Sequence, residues 1–340
     1  MGEIEDQLAR LAAHRAAQVP AFSMATADEL VVRRRSTRRA RLVYAIAACL
    51  VVGLVIGGWF LLSGSRSSVI APAGRRGAGE AGRCVGTAYV PNAGDGTVSV
   101  ITTASGVVSA PITVGKHPGA VAFTPDGTRA YVANTDDDTV SVITTATGAV
   151  SAPIAVGKAP VGVAVTPDGT HVYVTNGNDG TVSVITTATG LVSATITIGN
   201  ALAASGPGVA VTPDGKHVYV ANLSVGTVSV ITTATGVVSA PITVGTHPSA
   251  VAITPDGKYA YVADYGDGTG TVDGTVSVIT TATGVVSAPI TVGKSPVVVA
   301  ITPDGKHAYV PNLDDGTVSV ITTATGVVSA TITVGTAPSA

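Results

Sequence analysis

Apolar and polar residues alternate with a period of two along most of the chain after residue 84, and the alternation comes in a unit written six times. Residues 118–157 show one unit in full. PGAVAF is a short apolar strand closed by TPDG, a Pro-Asp-Gly turn. RAYVAN is a second strand ending in the polar turn TDDD. TVSVITTATG is a third, β-branched and suited to a pleated surface. The fourth, AVSAPIAVG, closes on glycine. Tyr89, Tyr131, Tyr173, Tyr219, Tyr261 and Tyr309 mark the repeats, 42, 42, 46, 42 and 48 residues apart. Periods of about 40–45 residues with four short strands each predict an all-β chain, a β-propeller of about six four-stranded blades. No amphipathic helical period occurs within the repeats, which excludes solenoids built on helices.

Proline sets the order of the strands. Pro111, Pro153, Pro241 and Pro289 fall inside the fourth strand of four units. Proline donates no ladder hydrogen bond, so that strand belongs on the outer edge and chain order runs from inside to outside. Five units are complete, at about 118–157, 160–199, 206–245, 248–293 and 296–335. The first, 84–115, has three strands, because GAGEAGRC stands where PGAVAFTPD is expected. At the far end TAPSA begins an innermost strand. The economical expectation is six blades, the first or closing one incomplete. A shortened seven-bladed relative is the alternative.

Ahead of the repeats the pattern changes completely. Leu42 to Leu62, LVYAIAACLVVGLVIGGWFLL, is a run of twenty-one residues without a charge. As an α-helix it spans about 30 Å, the thickness of a bilayer's hydrocarbon. Tyr44 and Trp59 sit near its ends, where amphipathic rings prefer the interface. Arg33, Arg34, Arg35, Arg38, Arg39 and Arg41 precede the run, against Arg66, Arg75 and Arg76 after it, which predicts a cytoplasmic N-terminus. A cleaved signal peptide has a shorter apolar core nearer the start, so an uncleaved anchor is expected; a start at Met24 weakens that contrast but leaves the run too long. The expected organisation is a basic cytoplasmic head (1–41), a single transmembrane α-helix (42–62), a flexible tether (63–83) and the propeller (84–340). That places a single-pass protein in the cell membrane with its propeller extracellular.

Charge follows the same division. Residues 1–83 hold twelve Arg against six acids, and residues 84–340 hold seven bases against fifteen Asp. An acidic body repels phosphate backbones, so nucleic acid is excluded as its partner. Cys49 lies in the apolar run and Cys84 beyond it, so the two cannot pair within one chain. No phosphate-binding loop, GxSxG elbow, CxxCH haem motif or paired catalytic carboxylates occur.

The repeated string is specific. Tyr173-Val174-Thr175-Asn176, with YVPN, YVAN and YVAD in the other units and TPDG before it, resembles the YVTN family of β-propeller repeat proteins. The resemblance covers about residues 84–340. It implies a propeller of the kind found at bacterial and archaeal surfaces. Quinoprotein dehydrogenases, haem d1 nitrite reductases and lactonases have similar blades, but their catalytic residues find no matching motif here.

Comparing the six units with one another locates the candidate site. The turns TPDG and TATG (TASG in the first unit), which close strands one and three, hardly vary. The second turns (AGDG, TDDD, GNDG, LSVG, YGDGTGTVDG, LDDG) and the connections between units do vary, and both insertions fall among them. In an antiparallel meander those segments share the opposite face, which is the expected binding face. It is acidic: Asp95, Asp136, Asp137, Asp138, Asp179, Asp314 and Asp315, with His117 and His247 in equivalent connections. Asp264, Asp267 and Asp273 are the candidate ligands for Ca²⁺, which takes several oxygen donors. Their spacing is not that of an EF-hand, and the same aspartates read first as turn formers that keep an apolar body soluble. The expected role is a non-catalytic scaffold binding an extracellular protein or polysaccharide, with no cofactor beyond that Ca²⁺. The alternatives are a propeller enzyme, lactonase or quinoprotein-like, and a sensor signalling through the head.

Overall fold

The computed structural model describes residues 86–199, 208–270 and 272–338. The expected membrane run, the head, the tether and Cys84 lie outside the described residues. Among the described residues, no helix is long and apolar enough to cross a membrane.

Six antiparallel sheets follow one another along the chain. Sheet 1 holds β1 (Thr87–Asn92), β2 (Thr97–Thr102), β3 (Val107–Val108) and β4 (Ile112–Thr113). Sheet 2 holds β5 (Pro118–Phe123), β6 (Arg129–Asn134), β7 (Thr139–Thr144), β8 (Ala149–Val150) and β9 (Ile154–Ala155). In sheet 3 come β10 (Pro160–Val165), β11 (His171–Asn176), β12 (Thr181–Thr186) and β13 (Leu191–Thr197). Sheet 4 follows with β14 (Val209–Val211), β15 (His217–Asn222), β16 (Thr227–Thr232) and β17 (Ile242–Thr243). Sheet 5 has β18 (Pro248–Ile253), β19 (Tyr259–Asp264), β20 (Thr275–Thr280) and β21 (Ile290–Thr291). Sheet 6 has β22 (Ala300–Ile301), β23 (His307–Asn312), β24 (Thr317–Thr322) and β25 (Val327–Thr333). Within each sheet neighbours in sequence are neighbours in space, as hairpins require.

The fourth strands carry the signature of their prolines. β13 and β25, whose sequences have threonine at that place, run unbroken for seven residues. Where Pro111 and Pro153 stand instead, the strand splits into β3 and β4 or β8 and β9, both halves pairing with the same neighbour. Pro241 and Pro289 leave β17 and β21 plus isolated bridges at Val238 and Val286. A missing N–H interrupts the ladder without abolishing the edge. Among the described residues sheet 1 therefore occupies three strand positions, and β1, the equivalent of the second strands elsewhere, pairs with β2.

Successive side chains point to opposite faces, and the consecutive apolar residues of strands such as GAVAF and AYVA supply both, so sheets stack face to face. Five buried clusters lie between consecutive sheets. In the cluster joining sheets 2 and 3, Tyr131, Ala133 and Val140 from one side meet Val172, Val174 and Ile185 from the other. The tyrosine repeats this role in sheets 1, 3, 4 and 5. Burying each such Val or Ile contributes roughly 1.5–3 kcal/mol, so the sheet-to-sheet layers dominate stability. The innermost strands β5, β10, β14, β18 and β22 pack successively against one another, while β13 and β25 are largely exposed at the outer rim.

Candidate binding face

Hydrogen bonds assign the turns to two faces. Thr145 Oγ1 donates to the Gly127 carbonyl at 2.6 Å, joining the ends of the third strand and the TPDG turn. The same bond recurs from Thr187, Thr233, Thr281 and Thr323. Each TPDG aspartate is fixed by the threonine two residues before it, as in Thr166 Oγ1 to Asp168 Oδ1 at 2.5 Å. Those bonds hold the carboxyls below the usual range, Asp168 at about 2. This invariant face is thus laced by the bonds that shape its turns.

The opposite face is built from the second turns and the connections. The Lys116 N–H donates to Asp137 Oδ2 at 2.8 Å, Lys158 N–H to Asp179 Oδ2 at 2.6 Å and Lys294 N–H to Asp315 Oδ2 at 2.8 Å. A second carboxylate contributes in places: Asp138 Oδ1 accepts from the Ala159 N–H, and Asp314 Oδ2 from Ser295 Oγ. Asp136 Oδ2 lies 3.1 Å from His117 Nδ1. His247 Nδ1–H donates to the Gly266 carbonyl at 2.6 Å. Asp95 sits in the equivalent turn of sheet 1, exposed. The structure thus puts the acidic residues and both histidines on one face, and uses most of the carboxylates to cap connections. Asp137, Asp179 and Asp315 stay exposed, with Asp137 Oδ1 3.6 Å from Lys116 Nζ.

Asp264, Asp267 and Asp273 are not gathered. Asp267 is exposed and turns back on Thr269, accepting its N–H at 2.9 Å. Asp273 is exposed in the same insertion. Asp264 is 1% exposed, its Oδ2 accepting from Ser277 Oγ at 2.7 Å and Thr275 Oγ1 at 3.1 Å. Among the described residues, no three His, Cys, Asp or Glu side chains are close enough to hold a metal ion. The Ca²⁺ expectation drew on neighbours in sequence, and the fold sends the first of them inward.

Sequence reasoning missed what Asp264 is. It closes the second strand at the place of Asn92, Asn134, Asn176, Asn222 and Asn312, each buried. Each asparagine donates from Nδ2 to the threonine five residues on and the serine seven residues on, at 2.8–3.1 Å. These residues pin the second turn to the third strand. The glycine ending the preceding fourth strand lies directly over Asn134, Asn176, Asp264 and Asn312: a Cβ on Gly157 would come 2.5 Å from Asn176 Nδ2. At Asp264 burial overrides the two hydroxyl donors and pushes the carboxyl up to about 6. The recurring Asn with Thr and Ser at +5 and +7 was the available signal, hidden because all three are ordinary turn and strand residues.

The sequence matches no known family and no characterised protein. Among solved structures, the chain is similar to hydrazine synthase of Kuenenia stuttgartiensis, a β-propeller-containing protein, with a TM-score of 0.67. Identity is 24%, over 74% of this chain and 85% of that one. The fold is a β-propeller. At that identity the likeness speaks for the backbone and leaves the chemistry to the residues. The propeller's six sheets fit the expected six blades, the first with three strand positions among the described residues.

Proposed function

We propose that this chain is a binding scaffold of the YVTN type, carried outside the cell on the apolar run 42–62, and that it works through the face of second turns and connections. The observation that carries the reading is the division of labour between the two faces. One hardly varies, and its TPDG turns are shaped by internal hydrogen bonds. The other holds the varied second turns, the insertion after Asp264 and the exposed Asp95, Asp137, Asp179 and Asp315. Equivalent residues recur from sheet to sheet, which suits broad recognition of an extended protein or polysaccharide more than chemistry at one point. Catalysis calls for unlike residues converging on one spot, and no such group stands out on this face.

Two experiments test it. Protease accessibility of residues 84–340 on intact cells should precede lysis; digestion only after lysis reverses the topology. Neutralising Asp137, Asp179 and Asp315 together to asparagine should leave the fold intact and weaken capture of cationic polysaccharide or basic peptide several-fold. Turnover of a lactone or of a quinone-linked substrate by the chain would replace the scaffold with an enzyme.

A further inference from the structure

The outer rim of the sheets is protected in some copies of the repeat and open in others. Sheets 1, 2, 4 and 5 carry Pro111, Pro153, Pro241 and Pro289 in the fourth strand, and there the edge is broken into short pieces. Sheets 3 and 6 carry Thr195 and Thr331 at that place, and β13 and β25 run unbroken for seven residues. Each ends its sheet, with no further strand paired to it among the described residues. Proline and charge are the usual means by which an edge strand refuses a partner. These two strands contain neither.

What the apolar side chains meet separates β25 from β13. Ile196 of β13 is half-buried, and a Cβ on Gly236 of the next sheet would lie 3.6 Å from its Cδ1. Ile242 and Ile290 stand against Gly284 and Gly326 in the same way, at 3.6 and 3.7 Å. Ile332, the equivalent in β25, is 42% exposed, and six of the seven residues of that strand are exposed. The backbone presents bonding groups along the same edge. Val334 donates its N–H to the Gly316 carbonyl at 2.9 Å, and Ile332 lies opposite Val318. Strand groups alternate sides, so Ile332 turns its N–H and C=O toward β24, while Thr331 and Thr333 turn theirs away from it.

We propose that β25 is the contact through which two copies of this chain associate, the two strands antiparallel about a two-fold axis at Ile332. In that register Thr331 of one copy exchanges main-chain bonds with Thr333 of the other, and the reverse, as in β-strand addition generally. The axis sets the two Ile332 side chains directly opposite each other, each beside the buried Val318 of its own sheet. The contact is self-complementary, as a two-fold interface must be. Charge favours it over other surfaces. Residues 84–340 hold fifteen Asp against seven bases, so identical copies repel, but no charged residue occurs from Thr317 to Ala340. A single short ladder is smaller than standard interfaces, which begin near roughly 1,200 Å², so the pairing is weak and reversible.

The test is sedimentation velocity of the full-length chain in detergent micelles over a concentration series, so that the apolar run 42–62 is common to every sample. The parent should show a monomer–dimer equilibrium. Thr331→Pro copies the residue found at that place in four other sheets, so the fold tolerates it. It removes one main-chain bond on each side of the axis and should weaken dimerisation at least about tenfold. Ile332→Lys and Ile332→Glu should each weaken it by setting like charges opposite one another, and an equimolar mixture of the two should recover association. Thr195→Pro, the same change in β13, should leave the equilibrium as it is in the parent. Dimerisation that Thr331→Pro leaves unchanged places the contact on the apolar run or another surface and overturns the proposal. So does a parent that stays monomeric, a mixture no tighter than either Ile332 variant alone, or an equal loss from Thr195→Pro.

Discussion

Sheets 2 and 5 are cut from the same strand quartet, yet they differ at one functional group at the end of the second strand. Asn134 presents an amide nitrogen that donates to Thr139 and Ser141. Asp264 presents an oxygen instead, and the hydroxyls of Thr275 and Ser277 turn around and donate. A hydroxyl serves either way, so the geometry survives the exchange. The energetics do not. The amide is neutral in the interior at every pH, whereas the carboxylate must be desolvated to ionise. The difference teaches that a repeat protein can keep the same strand-end contact, even across a longer turn, while making one copy sensitive to protons.

The largest expected effect breaks the feature the two sheets share. A Cβ at Gly157 would meet Asn176 at 2.5 Å, and one at Gly245 would meet Asp264 at the same distance. Gly157→Ala is expected to cost about 3 kcal/mol, the upper range for overpacking, seen as a lower denaturant midpoint. Equal stability would mean that the connection slides freely over the asparagine.

Next comes the difference itself. The folded-state pKa of Asp264, about 6, lies above the unfolded value of roughly 3.9, so the folded chain binds the proton more tightly. Its contribution is full below about pH 4 and is lost as pH rises through 6, an effect of about 3 kcal/mol. Asp264→Asn should therefore be more stable than the parent at pH 8 by about that amount and equal to it at pH 4. Urea titrations at pH 4, 5, 6 and 8 check this. The parent-minus-variant difference cancels the TPDG carboxylates, whose lowered pKa values act in the opposite direction at acid pH. A constant offset at every pH would remove the titration from the account. Asn134→Asp is the mirror experiment and should import the same pH dependence into sheet 2.

Smaller effects sharpen the contrast. Ser277→Ala takes a donor from Asp264 and should cost about 1–2 kcal/mol at pH 8 and less at pH 4. Ser141→Ala, opposite Asn134, should cost about 1 kcal/mol at both. Smallest is Pro241→Thr, which copies the threonine of β13 into sheet 4. It should extend β17 for a gain of about 0.5 kcal/mol and add slow-exchanging amides at the rim.

The repeat period, the strand alternation and the edge prolines were legible because each is a local rule whose consequence is local. Pro153 splits its strand wherever that strand lies. The acidic face was legible too, since turns two and four of a meander must share a side. Asp264 was misread because linear neighbours Asp267 and Asp273 suggested a common cage, and only packing shows one carboxyl facing inward and two outward.

What the sequence by itself determined is the quartet of strands and its sixfold recurrence, because hydrogen-bonding capacity and side-chain period are properties of the chain. Only the tertiary structure decided which polar groups are buried, that glycine sits over asparagine between adjacent sheets, and that one aspartate titrates far from its usual range. Burial and dielectric depend on everything packed around a group, and no stretch of sequence carries that information alone.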